Sequence, residues 1–243
     1  AGPRVWSAAS KESLHLSLLA LALEENRTEL VSDSHALDIL EQKAATLEAF
    51  DSNFPGFGGF LPWFCSRGVK EYVEEKDGRF TRKKFCRDLN DNASGIAPTH
   101  DWENRLPALD NGQLAWAVYA LLHVLKIRAN HCKRSADLEQ RWLKRFERMQ
   151  QTAVELFYHG RGTGRVRAVV MIQNTTLDVR FAKVSIEYLA DGATPAFLDD
   201  PYEGELAVLF LDLLADWSGY ENEGVAEKNL LWQHKQRKLS AVK

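Results

Sequence analysis

Apolar residues recur at helical spacing in six stretches of the chain, and the stretches alternate in kind. The first, near Ser10 to Asn26, is apolar nearly all round, through Leu14, Leu16, Leu18, Leu19, Leu21 and Leu23. The second, near Asp33 to Phe50, carries one stripe of Leu37, Leu40, Ala44 and Leu47 with charge opposite. The third, Asp110 to Ala129, is again apolar on most sides, through Leu114, Trp116, Val118, Leu121, Leu122 and Leu125. The fourth, Ser135 to Tyr158, returns to one stripe: Leu138, Trp142, Phe146, Met149 and Ala153. The fifth, Pro201 to Asp216, is apolar through Leu206, Leu209, Phe210, Leu213 and Leu214. The sixth, from Val225 onward, is polar with a thin stripe of Leu230, Leu231 and Leu239.

A helix apolar all round is covered on both sides, whereas a one-stripe helix faces water. The alternation therefore describes helical hairpins whose first members form an inner layer and whose second members form an outer one. A solenoid would repeat at a fixed period with short loops, and no period survives here. An α/α toroid fits instead. Two connections, residues 51–109 and 159–200, are long enough to be functional. Parity puts both on one face, together with the N-termini of the third and fifth helices, and puts the short turns on the other. Residues Arg165 to Tyr188 read as a β-hairpin decorating the long-loop face. The fold class is thus all-α, one toroid domain over residues 1–243. Three hairpins are half of a six-hairpin (α/α)6 ring, so the chain is expected to be incomplete at its C-terminus. A second fragment or chain would then cover the open apolar flank.

Composition narrows the function classes. Of 243 residues, 45% are hydrophobic and 27% charged, which excludes a disordered or fibrous chain. A net charge of -3 without a basic run gives no grip on nucleic acid. No apolar stretch reaches the ~20 residues of a membrane span. Sequons at Asn26, Asn92 and Asn174, and a chain that opens at Ala1 as though processed, suggest a secreted glycoprotein. Among the cysteines, Cys65 and Cys86 flank one long loop and are the candidate disulfide, with three reduced thiols as the alternative. Neither CxxC nor HExxH occurs, so no metal or other cofactor is expected.

Three motifs could carry chemistry, all on the long-loop face. The loop FPGFGGFLPWF, Phe54 to Phe64, holds rings on a glycine- and proline-rich backbone. Phe60 and Trp63 are candidates there to stack on sugar, with Trp102 later in the same connection. In LDNGQLAW, Asp110 with Gln113 reads as a capping box, and Asp110 and Asn111 could also offer hydroxyl-binding groups to the mouth. In FLDDPYEGELAVLFLDL, Asp200, Pro201 and Glu203 again read as a cap. The four carboxylates Asp199, Asp200, Glu203 and Glu205 are more than capping needs, with Tyr202 among them. Crowded acids raise one another's pKa, as a general acid requires. At about 100° per residue, Glu205 shares a polar stripe with Asp212 and Asp216, which favours it over Glu203 as the acid. GRGTGR, Gly160 to Arg165, follows a helix and precedes a strand, so it is a turn and not a phosphate loop. Its Arg161, Arg165 and Arg167 read as a solvated rim.

These motifs together resemble the fungal endo-β-1,2-glucanases of glycoside hydrolase family 162, and more distantly the bacterial endo-β-1,2-glucanases and glucoamylase-like toroids. The resemblance runs over most of the chain, and DDPYEGE is its most specific part. It implies an (α/α)6 toroid, no metal, and anomer-inverting endo-hydrolysis of linear β-1,2-glucan to sophoro-oligosaccharides. It also implies a glutamate acid at or near Glu203 or Glu205, with the base an aspartate in the second half of the ring. Two rivals keep the scaffold. A non-catalytic carbohydrate-binding toroid needs the aromatic loop but no carboxylate pair, and a polysaccharide lyase needs a tyrosine or histidine base.

Overall fold

Helices form in all six stretches. The computed structural model describes residues 6–24, 31–66, 71–76, 79–84, 95–198 and 204–241. Within them lie α1 (Ala9–Glu24), α2 (Asp33–Asn53), α3 (Ala108–Ala129), α4 (Lys133–Phe157), α5 (Glu205–Leu213) and α6 (Gly224–Ala241). The inner row is α1, α3 and α5, with α3 in the middle touching both neighbours. Helices α2 and α4 pack on each other and on α1 and α3 respectively, and α6 packs on α5. This is the double layer of a toroid, over part of a ring. The single stripes of the outer helices, Leu37, Leu40 and Leu47 of α2 and Leu138, Trp142 and Met149 of α4, are buried against the inner row. Arg145 of α4 pairs with Asp51 of α2 at 2.7 Å with both side chains largely buried.

The inner helices depart from the expected burial on every side. Each keeps an exposed apolar stripe at helical spacing: Leu14 (64% exposed) and Leu18 in α1, Tyr119 and Ile127 (55%) in α3, Leu206 and Leu213 (61%) in α5. Their composition is that of helices packed all round, but these residues stay in large part exposed; Tyr119 alone of the six has a ring partner across the layers, Phe146 of α4 at 5.8 Å.

The two long connections do meet on one face. β1 (Trp6–Ser7), β2 (Phe64–Ser66) and β5 (Ile96–Pro98) form one antiparallel sheet, with Trp6 opposite Cys65 and Cys65 opposite Ala97. β3 (Glu71–Lys76) and β4 (Arg79–Lys84) pair as a hairpin in the same connection. The predicted hairpin between Arg165 and Tyr188 is present as β7 (Val169–Ile172) and β8 (Val184–Ile186). It gains a third strand, β6 (Arg105–Pro107), which brings buried Leu106 opposite Val170. The Gly56 amide donates to the Thr175 carbonyl at 2.9 Å, a second tie between the two connections. Cys65 is disulfide-bonded and Cys132 is a free thiol, while Cys86 lies outside the described residues.

Helix starts differ from the capping-box reading. Strand β6 runs straight into α3, so Pro107 is the cap and Asp110 already sits in the first turn, leaving its carboxylate free for another partner. Helix α5 begins at Glu205 behind Gly204, whose left-handed φ of 77° and contact with Leu198 leave no room for a Cβ. The expected cap residues Asp200, Pro201 and Glu203 lie outside the described residues. Asp216 falls past the end of α5, where it accepts from the Ser218 amide at 2.8 Å and does not share Glu205's stripe.

Candidate active site

The first turn of α3 organises the mouth through three consecutive residues. Asp110 Oδ2 accepts from the Trp63 indole N–H at 2.9 Å. Asn111 is fully buried; it accepts from the Leu61 amide at 2.9 Å and donates to the carbonyls of Leu61 and Pro107 at 2.8 Å each. Gly112 has no side chain because α5 passes there: a Cβ would stand 2.6 Å from the Ala207 nitrogen. Aspartate, asparagine and glycine thus fasten the aromatic loop to α3 and admit α5 beside it. Trp116, one turn on, donates to the Leu206 carbonyl at 2.9 Å and ties the same two helices again. Asn111 is therefore a structural tie rather than a hydroxyl-binding group, because all its polar atoms are committed inside the protein.

The aromatic loop turns further inward than its glycine content suggests. Phe57, Phe60 and Phe64 are all buried. Phe60 meets Phe157 and Phe210 edge to face with ring centres 4.8 and 6.2 Å apart, so it is core and has no face for a sugar. Trp63 is the middle ring of a stack, 4.5 Å from Trp6 and 4.7 Å from Trp102. With both faces and its N–H engaged, Trp63 cannot itself be the sugar platform. The outer face of Trp6 carries the Lys11 ammonium at 4.0 Å. Trp102, at the opposite end of the stack, is half-buried and is the ring the stack presents.

Glu205 is the first residue of α5, next to the close approach of Gly112. Its Oε1 is buried with no hydrogen-bond partner, unlike Asp212, whose Oδ2 accepts from the Trp232 indole at 2.8 Å. Glu203 and Tyr202 lie outside the described residues, as do Asn26 and Asn92, while Asn174 is exposed. Among the described residues no group of carboxylates, histidines and cysteines could hold a metal ion, and no helix is long and apolar enough to cross a membrane.

A family profile for endo-beta-1,2-glucanase SGL (GH162) matches residues 1–83 and 86–243. The chain belongs to this family. Two solved structures are similar to the GH162 chain, each at 31% identity and each covered over 41% of its length by 96% of this chain. One is the complex of endo-beta-1,2-glucanase from Talaromyces funiculosus with sophorose, at a TM-score of 0.71. The other, at 0.72, is a glutamate-to-glutamine mutant of that enzyme with beta-1,2-glucan. No curated protein matches. The chain thus spans about 41% of the length of the solved relatives.

In the GH162 chain the GRGTGR turn has a role that its sequence did not disclose. The buried Glu227 carboxylate of α6 accepts from the Tyr158 hydroxyl and from the Gly162 amide, at 2.9 and 3.0 Å to its two oxygens. The Gly164 amide closes the ring by donating to the Tyr158 oxygen at 3.1 Å. Burial, and then the Glu227 carboxylate, push the Tyr158 phenol up to about 12. Arg167 is not a solvated rim residue: its Nη1 donates to the carbonyls at the end of α4, Glu155 at 2.7 Å and Leu156, and burial holds its guanidinium below the usual range. Arg165 lies over the Phe197 ring at 4.5 Å, and Arg161 reaches Glu223 at 2.9 Å.

Proposed function

We propose that the protein is an endo-β-1,2-glucanase in which Glu205 is the general acid and β-1,2-glucan the substrate. Family membership over nearly the whole chain supports the reaction. The observation that carries the residue assignment is the buried Glu205 oxygen, held without a protein donor at the mouth of an inner helix. At the same mouth Asp110 is already engaged by the Trp63 indole, and further along α5 Asp212 is engaged by the Trp232 indole. An uncommitted carboxyl is free to donate its proton to the leaving glycosidic oxygen. Trp102 is the proposed platform for the sugar ring.

In an inverting mechanism a second carboxylate, roughly 6.5–9.5 Å from the acid, activates water on the opposite face of the sugar. We assign that base to a further stretch of polypeptide that also covers the exposed stripes of α1, α3 and α5. The disulfide at Cys65 supports a secreted protein, because disulfides persist in oxidising compartments. The exposed sequon at Asn174 supports glycosylation.

Glu205→Gln keeps the shape of the side chain and removes the transferable proton. In the intact enzyme it should lower turnover of β-1,2-glucan by about 10²–10⁴ while leaving glucan binding in place. Full activity in this variant would remove Glu205 from the role, and loss in Glu203→Gln instead would move the acid two residues upstream. Release of the α-anomer first, read by NMR, reports inversion.

A further inference from the structure

A groove of about 370 Å³ runs along the seam between the two long connections, apart from the mouth. The turn His100–Asn104 serves both places. Its Trp102 ring stacks on Trp63, while His100, Glu103 and Asn104 line the groove. The opposite wall is Gln173, Asn174, Thr175 and Thr176, and half-buried Phe54 adds an aromatic edge.

The chemistry of this lining is specific. The side-chain amides of Asn104 and Gln173 are exposed and make no hydrogen bond with the described residues. Asn174 Oδ1 is occupied, accepting from the Thr176 amide at 3.0 Å and from its hydroxyl at 2.7 Å, while Asn174 Nδ2 has no acceptor among the described residues. Among the described lining residues the titratable groups are His100 and Glu103, which face each other at 3.1 Å, and neither lysine nor arginine is among them. Amides offering a donor and an acceptor side by side match adjacent sugar hydroxyls, and the Phe54 ring offers an apolar surface to sugar C–H groups. The volume sits at the small end of ligand clefts, which run from roughly 300 to 1,000 Å³.

We propose that this groove binds a neutral pyranoside, a mono- or disaccharide unit, at a site separate from the catalytic mouth. Two sources share that chemistry: a glucan chain, which rests on the activity proposed above, and the first sugars of an N-glycan on Asn174, which does not.

The test uses the protein made in a host without N-glycosylation and again in one with it, each with its asparagine and glutamine amides isotopically labelled for NMR. Sophorose added to the unglycosylated protein should shift the Asn104 and Gln173 side-chain signals. Gln173→Ala should weaken that binding roughly three- to tenfold, the net worth of a neutral hydrogen bond. It should leave hydrolysis of short oligosaccharides unchanged. If sophorose leaves these signals unmoved but they differ between the two preparations, the groove is the seat of the Asn174 glycan, and the proposal stands through its second source. Signals indifferent to both sugar and glycosylation would overturn it. In the intact protein with its full polypeptide, sophorose shifts without glucanase activity would sink the enzymatic reading and keep the groove; activity with silent groove amides would do the reverse.

Discussion

Trp63 and Trp102 share one stack, and their places in it assign them different work. Trp63 is pinned on both faces and by Asp110, so its truncation breaks the stack and leaves Asp110 without its indole donor. Trp63→Ala should cost about 1–3 kcal/mol of stability, read from denaturant unfolding. Trp102→Ala should leave the fold largely intact and weaken binding of β-1,2-glucan oligosaccharides by about 1–3 kcal/mol, read by calorimetry. Equal loss of affinity in both variants at equal stability would return Trp63 to the sugar-binding surface. The sequence marks the aromatic loop as special, because glycine, proline and rings together have no simpler reading. It does not reveal which rings turn inward, since an irregular backbone has no period from which to read a face. Phe60 could not have been separated from Trp102 without the positions of Phe157 and Phe210. Asn111 was opaque for a related reason: its partners, Leu61 and Pro107, are known only once the loop is folded onto α3.

At the level of elements, the helices were legible and the beginning of α2 at Asp33 was too, but the starts of α3 and α5 were not. A run of some twenty residues repeats its apolar period several times, whereas a cap is one local decision that an adjoining strand or glycine can override. That is what β6 does before α3, and Gly204 before α5. The clamp on α6 shows how a tertiary partner changes the meaning of a local motif. GRGTGR is a turn by sequence, but its Gly162 amide and Tyr158, itself held by the Gly164 amide, hold the Glu227 carboxylate and so fasten α6 to the end of α4. This clamp gives the fold a pH dependence of definite sign. The Tyr158 phenol is raised from its ordinary 10.0 to about 12 in the folded protein, so the folded state holds that proton more tightly than the unfolded chain. Its contribution is complete below the unfolded value and is lost as pH rises through the folded one. Stability measured by denaturant should therefore fall between pH 10 and 12, and Tyr158→Phe should flatten that limb while lowering stability at neutral pH. An unchanged alkaline limb in the variant would assign the dependence to other groups, Tyr220 first, whose phenol burial also raises.

At the scale of the molecule, an asymmetry of burial separates the outer row from the inner one. Outer helices α2 and α4 present one apolar stripe and bury it, which is a closed account for a helix facing water. Inner helices carry enough apolar surface for two sides and use one, so Leu14, Leu18, Tyr119, Ile127, Leu206 and Leu213 remain exposed. Soluble proteins rarely leave contiguous apolar surface of this kind uncovered. The chain spans about 41% of its solved relatives, and in the arrangement proposed above the rest of a ring would pack on these stripes and carry the catalytic base. A charge placed on the stripe separates the possibilities. In the protein as its gene encodes it, Leu18→Lys with Ile127→Lys would bury two ammonium groups against apolar neighbours if the ring is closed. Such a pair should lower the melting temperature by many degrees and reduce glucanase activity with it. If the stripes face water in the functional protein, the same two changes fall on a solvated surface and should move stability by no more than about 0.5 kcal/mol each. An unchanged melting temperature with full activity would therefore show the stripes uncovered in the functional protein and remove the need for a covering partner.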